Sequence, residues 1–332
     1  MPSWTPASGT SSEGAPLAPA AGGAVALGLR ALPRTRPWYA DVWIQMLRHK
    51  PLGTVGAVIV IVMLGAAVLA DWITPYGFSQ TSLRERLMST SADHWLGTDQ
   101  LGRDLLTRLI YGARVSLYVG FGAVSLGCVI ATVIGILSAY FGGRVDLLLQ
   151  RAVDAWMAFP GLLLLMSIMS LVGPGVWNIT LVLGVAFGIQ NPRIVRGVAL
   201  SIKEYTYIEG ARAAGAGHTR ITAGHILPNV LPTIIVVATT GLSTVILTEA
   251  SLSFLGLGVP PPYPTWGGML SLAGLDHMYQ APWLAVWPAV ALSLAVFGFN
   301  MLATRCGICW TRGSRAASLR NLPCSARVRG PG

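Results

Sequence analysis

Few side chains in this sequence are of a type and spacing that could do covalent chemistry. The five histidines, His49, His94, His218, His225 and His277, are scattered among apolar runs rather than clustered, so they do not form a metal set. Both lysines, Lys50 and Lys203, lack the glycine-rich approach of a phosphate-cradling loop, since His49 and Ile202 precede them. Neither H-E-x-x-H nor G-x-S-x-G occurs, which removes the sequence signatures of a zinc protease and of a serine nucleophile turn. Cys306 and Cys309 form a C-x-x-C, but no second close pair completes a zinc set, and no alternating strand and helix pattern supports a thiol oxidoreductase. The expectation is a chain with no catalytic residue, no metal and no cofactor of its own.

One ionisable group is different. Glu249 lies inside the apolar run Thr233 to Leu255, where a carboxyl group is costly and marks either a translocation path or an internal hydrogen-bond site. Thr248, Ser251, Ser253 or a partner helix can satisfy it in the second reading.

The elements that must hold such a residue are membrane spans. Hydrophobic residues make up 53% of the 332 and charged residues 11%, against roughly 25% charged in soluble domains. Six apolar runs approach or reach the ~20 residues a bilayer core requires: Val55 to Trp72, Val115 to Tyr140, Ala152 to Val172, Trp177 to Phe187 with its flanks, Thr233 to Leu255, and Trp283 to Ala303. The fold class expected is an all-α membrane protein of about six spans, with kinks at Pro160 in the third and Pro288 in the sixth.

A net charge of +10 is carried mostly by residues flanking the spans, which argues for cytoplasmic loops rather than nucleic-acid binding. Arg34, Arg36, Arg48 and Lys50 precede the first span, Arg144 and Arg151 separate the second and third, and Arg193, Arg196, Lys203, Arg212 and Arg220 separate the fourth and fifth. Gly173 to Val176 and Gly256 to Pro282 carry no Lys or Arg, so the alternation places the N-terminus in the cytoplasm. The segment from Thr74 to Arg114 breaks the pattern with Arg84, Arg86, Arg103, Arg108 and Arg114. The organisation expected is a disordered Pro-, Ala-, Gly- and Ser-rich tail over 1–46, a first span over 47–74, and an extracytoplasmic loop over 75–114. A core domain over 115–303 and a basic tail over 304–332 follow.

Within the external loop, Thr98 starts an expected amphipathic helix in which Asp99 and Arg103 pair at i,i+4; the other reading is a surface touching a delivery protein. Between the fourth and fifth spans, Glu204 to Ala214 reads as a short helix. Tyr205 and Ile208 share a side of it, and Glu209 faces Arg212. Gly215 and Gly217 end it, a second short helix runs from Thr219 to Leu227, and Pro228 begins the fifth span. By pattern alone this is an amphipathic linker at the membrane surface.

Resemblance adds a function. "EGARAAG" followed after a spacer by "HILPN" resembles the EAA loop of ABC-importer permeases, as found in the peptide and nickel subgroup. Glu209, Ala211 and Gly215 stand at matching positions, Leu227 and Pro228 match the closing Leu-Pro, and Gly210 departs from the motif's alanine. "HWLGTDQLGRDLLTRLIYGARVSLYVG" and "EASLSFLGLGVPPPYPTWGGML" resemble two further signatures of the second permease subunit, the DppC/OppC type. The resemblance implies the type I ABC importer permease fold in a bacterial inner membrane. It implies a homologous second permease, two cytoplasmic ATPases holding ATP and Mg, and an extracytoplasmic binding protein as partners.

The substrate implied is a di- or oligopeptide, with nickel or another small solute as the alternative and an ATP-independent secondary transporter further off. The loop carrying Glu209, Gly210, Ala211, Gly215, Leu227 and Pro228 is then the ATPase contact, and Glu249 a candidate for the path. Asp99, Arg103, Pro261 and Trp266 become candidate receptor or gate contacts. The family follows "FGFNML" with a segment resembling "GDALRDLLDP", where this chain has "ATRCGICWTRGSR". Regrouping the codons one base earlier lets Ala303 to Ser314 spell G-D-A-L-R-D-L-L-D-P-R-L, which points to a single-base slip after Leu302.

Overall fold

The computed structural model describes residues 51–271, 277 and 279–320, with side chains described from 53 to 303 within that range. The N-terminal tail, the residues preceding Pro51 in the first span and the cysteines of the basic tail lie outside the described side chains.

Every expected apolar run falls on helix. Helix α1 spans Pro51–Val68, with α2 (Ala70–Ile73) after it. The second run becomes α3, Leu105–Phe141, roughly 55 Å long at ~1.5 Å per residue, so it overreaches a ~30 Å hydrocarbon core. Helices α4 (Gly143–Met157) and α5 (Gly161–Val172) share the third run, α6 is Val176–Gln190, and α7 is Pro192–Lys203. Then come α8 (Thr206–Ala213), α9 (His218–Ile221), a π-helical turn at Thr222–Ile226, α10 (Leu227–Phe254), α11 (Trp266–Met269) and α12 (Trp283–Arg320). Among the described residues no strand forms, and the one isolated bridge joins Thr98 to Asp104. By length and composition α3, the continuous stretch His218–Phe254 and Trp283–Ala303 can each cross a bilayer; α4 with α5 makes a fourth if counted as one bent span, and α1 and α6 are shorter apolar helices.

The third run is not a kinked helix. Its halves meet at 88°, because Pro160 lacks an N–H and disfavours helical backbone at Phe159; it caps α5 with φ −58° rather than bending a continuous helix. Pro288, by contrast, lies within an unbroken α12.

Helix α3 is the hub, packing against α6, α7, α10 and α1. Gly112, Ser116, Gly120, Gly127, Ala131 and Gly135 give it a small-residue stripe, and small residues let membrane helices approach closely. At the α3–α6 crossing the approach is tight on both sides: a Cβ on Gly127 would stand 2.8 Å from the Gly184 carbonyl, and one on Gly188 2.7 Å from Ile130.

The stretch 75–114, expected to be external, also differs from its expected form. Thr98 does not start a helix; α3 begins at Leu105, inside the stretch 75–114, and its N-cap is Asp104, whose carboxylate accepts from Thr107 N–H at 2.8 Å. Asp99 and Arg103 still pair, at 2.6 Å, but within a turn in which Asp99 Oδ1 accepts the N–H groups of Leu101 and Arg103. The basic excess of this loop now has a cause. Arg103 and Arg108 are buried beside Asp99, Arg114 pairs with Asp71 at 3.0 Å, and Arg86 contacts the His277 ring at 3.2 Å. Replacing Asp104 with Ala removes the cap of α3 and a 3.0 Å partner of His94, and should cost about 1 kcal/mol from the cap alone. A lowered thermal midpoint of the purified protein checks this.

Candidate coupling site

Helix α7 leaves the end of α6 with Pro192 in its first turn, a position where the missing N–H costs nothing. Val195, Ala199 and Ile202 recur at helical spacing and bury against Ile136, Ala139 and Tyr140 at the end of α3. Charged groups lock the same junction. Arg196 grips Asp146 of α4 with two hydrogen bonds of 2.7 and 2.5 Å, which also raise the guanidinium above its usual range, and Arg193 pairs with Asp154. Lys203 Nζ donates to the carbonyls of Ala139 and Tyr140 at 3.1 and 2.8 Å, placing a cation on the C-terminus of α3.

Beyond Lys203 the chain forms an elbow. Helix α8 ends in paired closing bonds, from Gly215 N–H to the Arg212 carbonyl at 2.9 Å and from Ala216 N–H to the Ala211 carbonyl at 3.0 Å. That closure needs a left-handed residue, and Gly215 supplies it with φ +81°. Gly217 does not share the task; at φ −67° it caps α9 instead. The second short helix starts at His218 and turns π-helical at Thr222, with Leu227 N–H bonded to the Thr222 carbonyl, before passing into α10 with Pro228 in its first turn.

Only Ile208, Ile221 and Ile226 of the elbow are fully buried. Glu209, Gly210, Gly215 and Pro228 are exposed, Ala211 is half-buried, and Leu227 rests against the apolar cluster below. Open space surrounds Gly210, so the alanine of the resembling motif would fit there without contact. Two expected side-chain relations do not form. Tyr205 is exposed while Ile208 is buried, and Arg212 turns from Glu209 to lie 5.6 Å from the Tyr140 ring centre, where a cation meets an aromatic face. The Tyr140 hydroxyl also contacts His218 Nδ1 at 2.6 Å, and Asn229 Nδ2 ties α10 to the Tyr207 hydroxyl of α8 at 3.2 Å. Tyr140, Lys203 and His218 therefore clamp the elbow to α3. Sequence reading passed over this clamp because its members are 63 and 78 positions from Tyr140.

The remaining candidates separate. Glu249 is 0% exposed in the seam between α10 and α3, where Ser116 Oγ donates to Oε2 at 3.2 Å and Ser253 Oγ to Oε1 at 2.7 Å. Thr248 and Ser251 bond carbonyls of their own helix instead. Trp266 is buried, and its indole donates to the Leu109 carbonyl at 3.1 Å. Of Asp99, Arg103, Pro261 and Trp266, only Pro261 is exposed; Asp99, Arg103 and Trp266 are interior residues because charge pairing and indole hydrogen bonding draw them inward. Asp99, Arg103 and Pro261 nevertheless line one cavity. Among the described residues no group of His, Cys, Asp and Glu is arranged to hold a metal.

The elbow is thus an exposed helix-turn-helix between two apolar helices, tied back at its base to α3. The family described as binding-protein-dependent transport system inner membrane component matches residues 131–306, and the N-terminal TM domain of oligopeptide transport permease C matches residues 36–89. The chain belongs to this family, as a multi-pass inner-membrane permease subunit of an ABC importer. It is 39% identical to the dipeptide transport system permease protein DppC of Alkalihalophilus pseudofirmus, over 80% of this chain and 86% of the relative. It is 38% identical to the glutathione transport system permease protein GsiD of Escherichia coli, over 80% and 87% of the two chains. A solved structure of the inward-facing MetNI methionine ABC transporter aligns at TM-score 0.49 and 21% identity, over 61% of this chain and 95% of that one.

Proposed function

We propose that this permease forms half of a translocation path for di- or oligopeptides and couples ATPase closure to alternating access. A homologous second permease supplies the other half, and an extracytoplasmic binding protein delivers the substrate. Two cytoplasmic ATPases hold ATP and Mg and receive the elbow around Glu209, Gly210, Ala211, Gly215, Leu227 and Pro228. The N-terminus lies in the cytoplasm, on the elbow's side of the membrane.

The observation that carries the reading is the combination of a solvent-exposed elbow with its attachment to three apolar helices. It continues into α10, is joined to α6 through α7, and is fastened to α3 by Lys203 and Tyr140. Movement of the elbow by an ATPase pair therefore carries α3, α6 and α10 together, a two-state element biased from outside the membrane. The peptide substrate is supported by the relatives, which are permeases of dipeptide and glutathione transport systems, with nickel or another small solute as the alternative. The reading-frame slip after Leu302 accords with a family match that ends at Cys306, and resequencing the locus tests it.

Reconstitution with the partner subunits tests the function. Dipeptide uptake should fall to background when the ATPases are omitted, and uptake that persists on an ion gradient alone overturns the reading.

A further inference from the structure

Two guanidinium groups inside the external loop share one carboxylate. Arg103 Nε donates to Asp99 Oδ2 at 2.6 Å, and Arg108 Nε lies 3.5 Å from the same oxygen. The other Asp99 oxygen is taken by two backbone N–H groups. Asp104 is engaged elsewhere, with one oxygen on Thr107 N–H and the other on His94. Asp99, Arg103 and Arg108 therefore form a trio with one positive charge in excess.

The trio is largely buried, with Arg103 9% and Arg108 8% exposed. Arg108 Nη1 reaches the Phe78 carbonyl at 3.2 Å, while the terminal nitrogens of Arg103 and Nη2 of Arg108 donate to no described residue. Both arginines line a cavity of about 260 Å³ walled also by Ser253, Pro261 and Tyr263. These free nitrogens are not sealed in the interior, since among the described residues Thr107 Oγ1 is the fully buried side-chain polar atom without a partner; they stay open to the cavity, where a ligand or water can take them and offset the excess charge. A planar fork of N–H groups matches a carboxylate, which accepts two parallel bonds and carries the missing charge. The apolar rim suits the remainder of such a ligand, since Tyr263 is 53% exposed there and stacks on Phe78 at 5.8 Å.

We propose that this cavity is a binding site for the carboxylate of a small peptide-like solute, held by the free nitrogens of Arg103 and Arg108. The solute's identity rests on the peptide reading above; the carboxylate chemistry rests on the trio alone. Asp99 acts as an internal competitor that keeps the empty site stable.

The test uses the assembled transporter in lipid nanodiscs, without nucleotide or binding protein, titrated with N-acetylglycine and with its neutral amide. The acid should bind saturably and at least about tenfold tighter than the amide, the scale of a charged hydrogen-bond pair. Arg103→Gln should weaken the acid by a similar factor and leave the amide unchanged. Asp99→Asn, which removes the competitor while keeping an acceptor for the Leu101 N–H, should tighten the acid. Equal binding of acid and amide, or no gain in acid affinity in Asp99→Asn, overturns the site. If Arg103→Gln does not assemble, the Asp99→Asn comparison decides. No ATP is involved, so a failure here leaves ATP-dependent uptake untouched, and a failure of that uptake leaves this binding measurable.

Discussion

Gly215→Pro should abolish ATP-driven uptake while the chain still reaches the membrane. The ring fixes φ near about −65°, whereas Gly215 is held at +81°, and proline also removes the N–H that closes α8 on Arg212. The elbow cannot keep its angle under that change, yet nothing packs within 4 Å of where a Gly215 Cβ would stand, so the spans beneath are not strained. Glu209→Lys isolates the outward surface from the fold. Glu209 is exposed and makes no ion pair among the described residues, so reversing its charge should shift stability by less than about 1 kcal/mol. Uptake should nevertheless fall to background if Glu209 meets an ATPase as proposed above, because a partner surface that accepts a carboxylate rejects an ammonium. Membrane abundance by immunoblot, compared with uptake in the same vesicles, separates insertion from coupling. Normal uptake in both variants would remove the coupling role.

Glu249 carries the second large effect. Its carboxyl oxygens are taken by Ser116 and Ser253, and it joins α10 to α3 at a point with no exposure. We expect Glu249→Gln, which retains an oxygen acceptor, to transport within about twofold of the parent. Glu249→Lys should fail to accumulate, since a buried ammonium without a carboxylate partner costs several kcal/mol. A Gln variant that assembles normally and does not transport would assign the carboxyl to the path and not to the seam.

What the sequence made legible was local or periodic. Apolar runs announced the long helices, and Gly215 announced the end of α8, because each depends on residues within a few positions; the amphipathic α7, Pro192–Lys203, lies in no apolar run and was not foreseen. Pro160 was misjudged because whether a proline bends or breaks a span depends on neighbours that can satisfy the freed carbonyl. Thr98 and Asp104 are both good N-caps, and the choice between them fell to the turn built by Asp99, which occupies the stretch where an earlier helix would start. Contacts that close over long intervals left no mark: Ser116 with Glu249, 133 positions apart, and Tyr140 with His218, 78 apart. The elbow was recognisable by resemblance, but the bonds that fasten it to α3 were not.

The π-helical turn at Thr222–Ile226 has an effect on everything after it. Accommodating one additional residue in a helix displaces later positions by about 100° of azimuth relative to an unbroken α-helix. A helical wheel drawn straight through from His218 would aim α10 wrongly. The compass bearing on which Gly241 meets Phe187 and Glu249 meets Ser116 is set at the elbow, several turns before either contact.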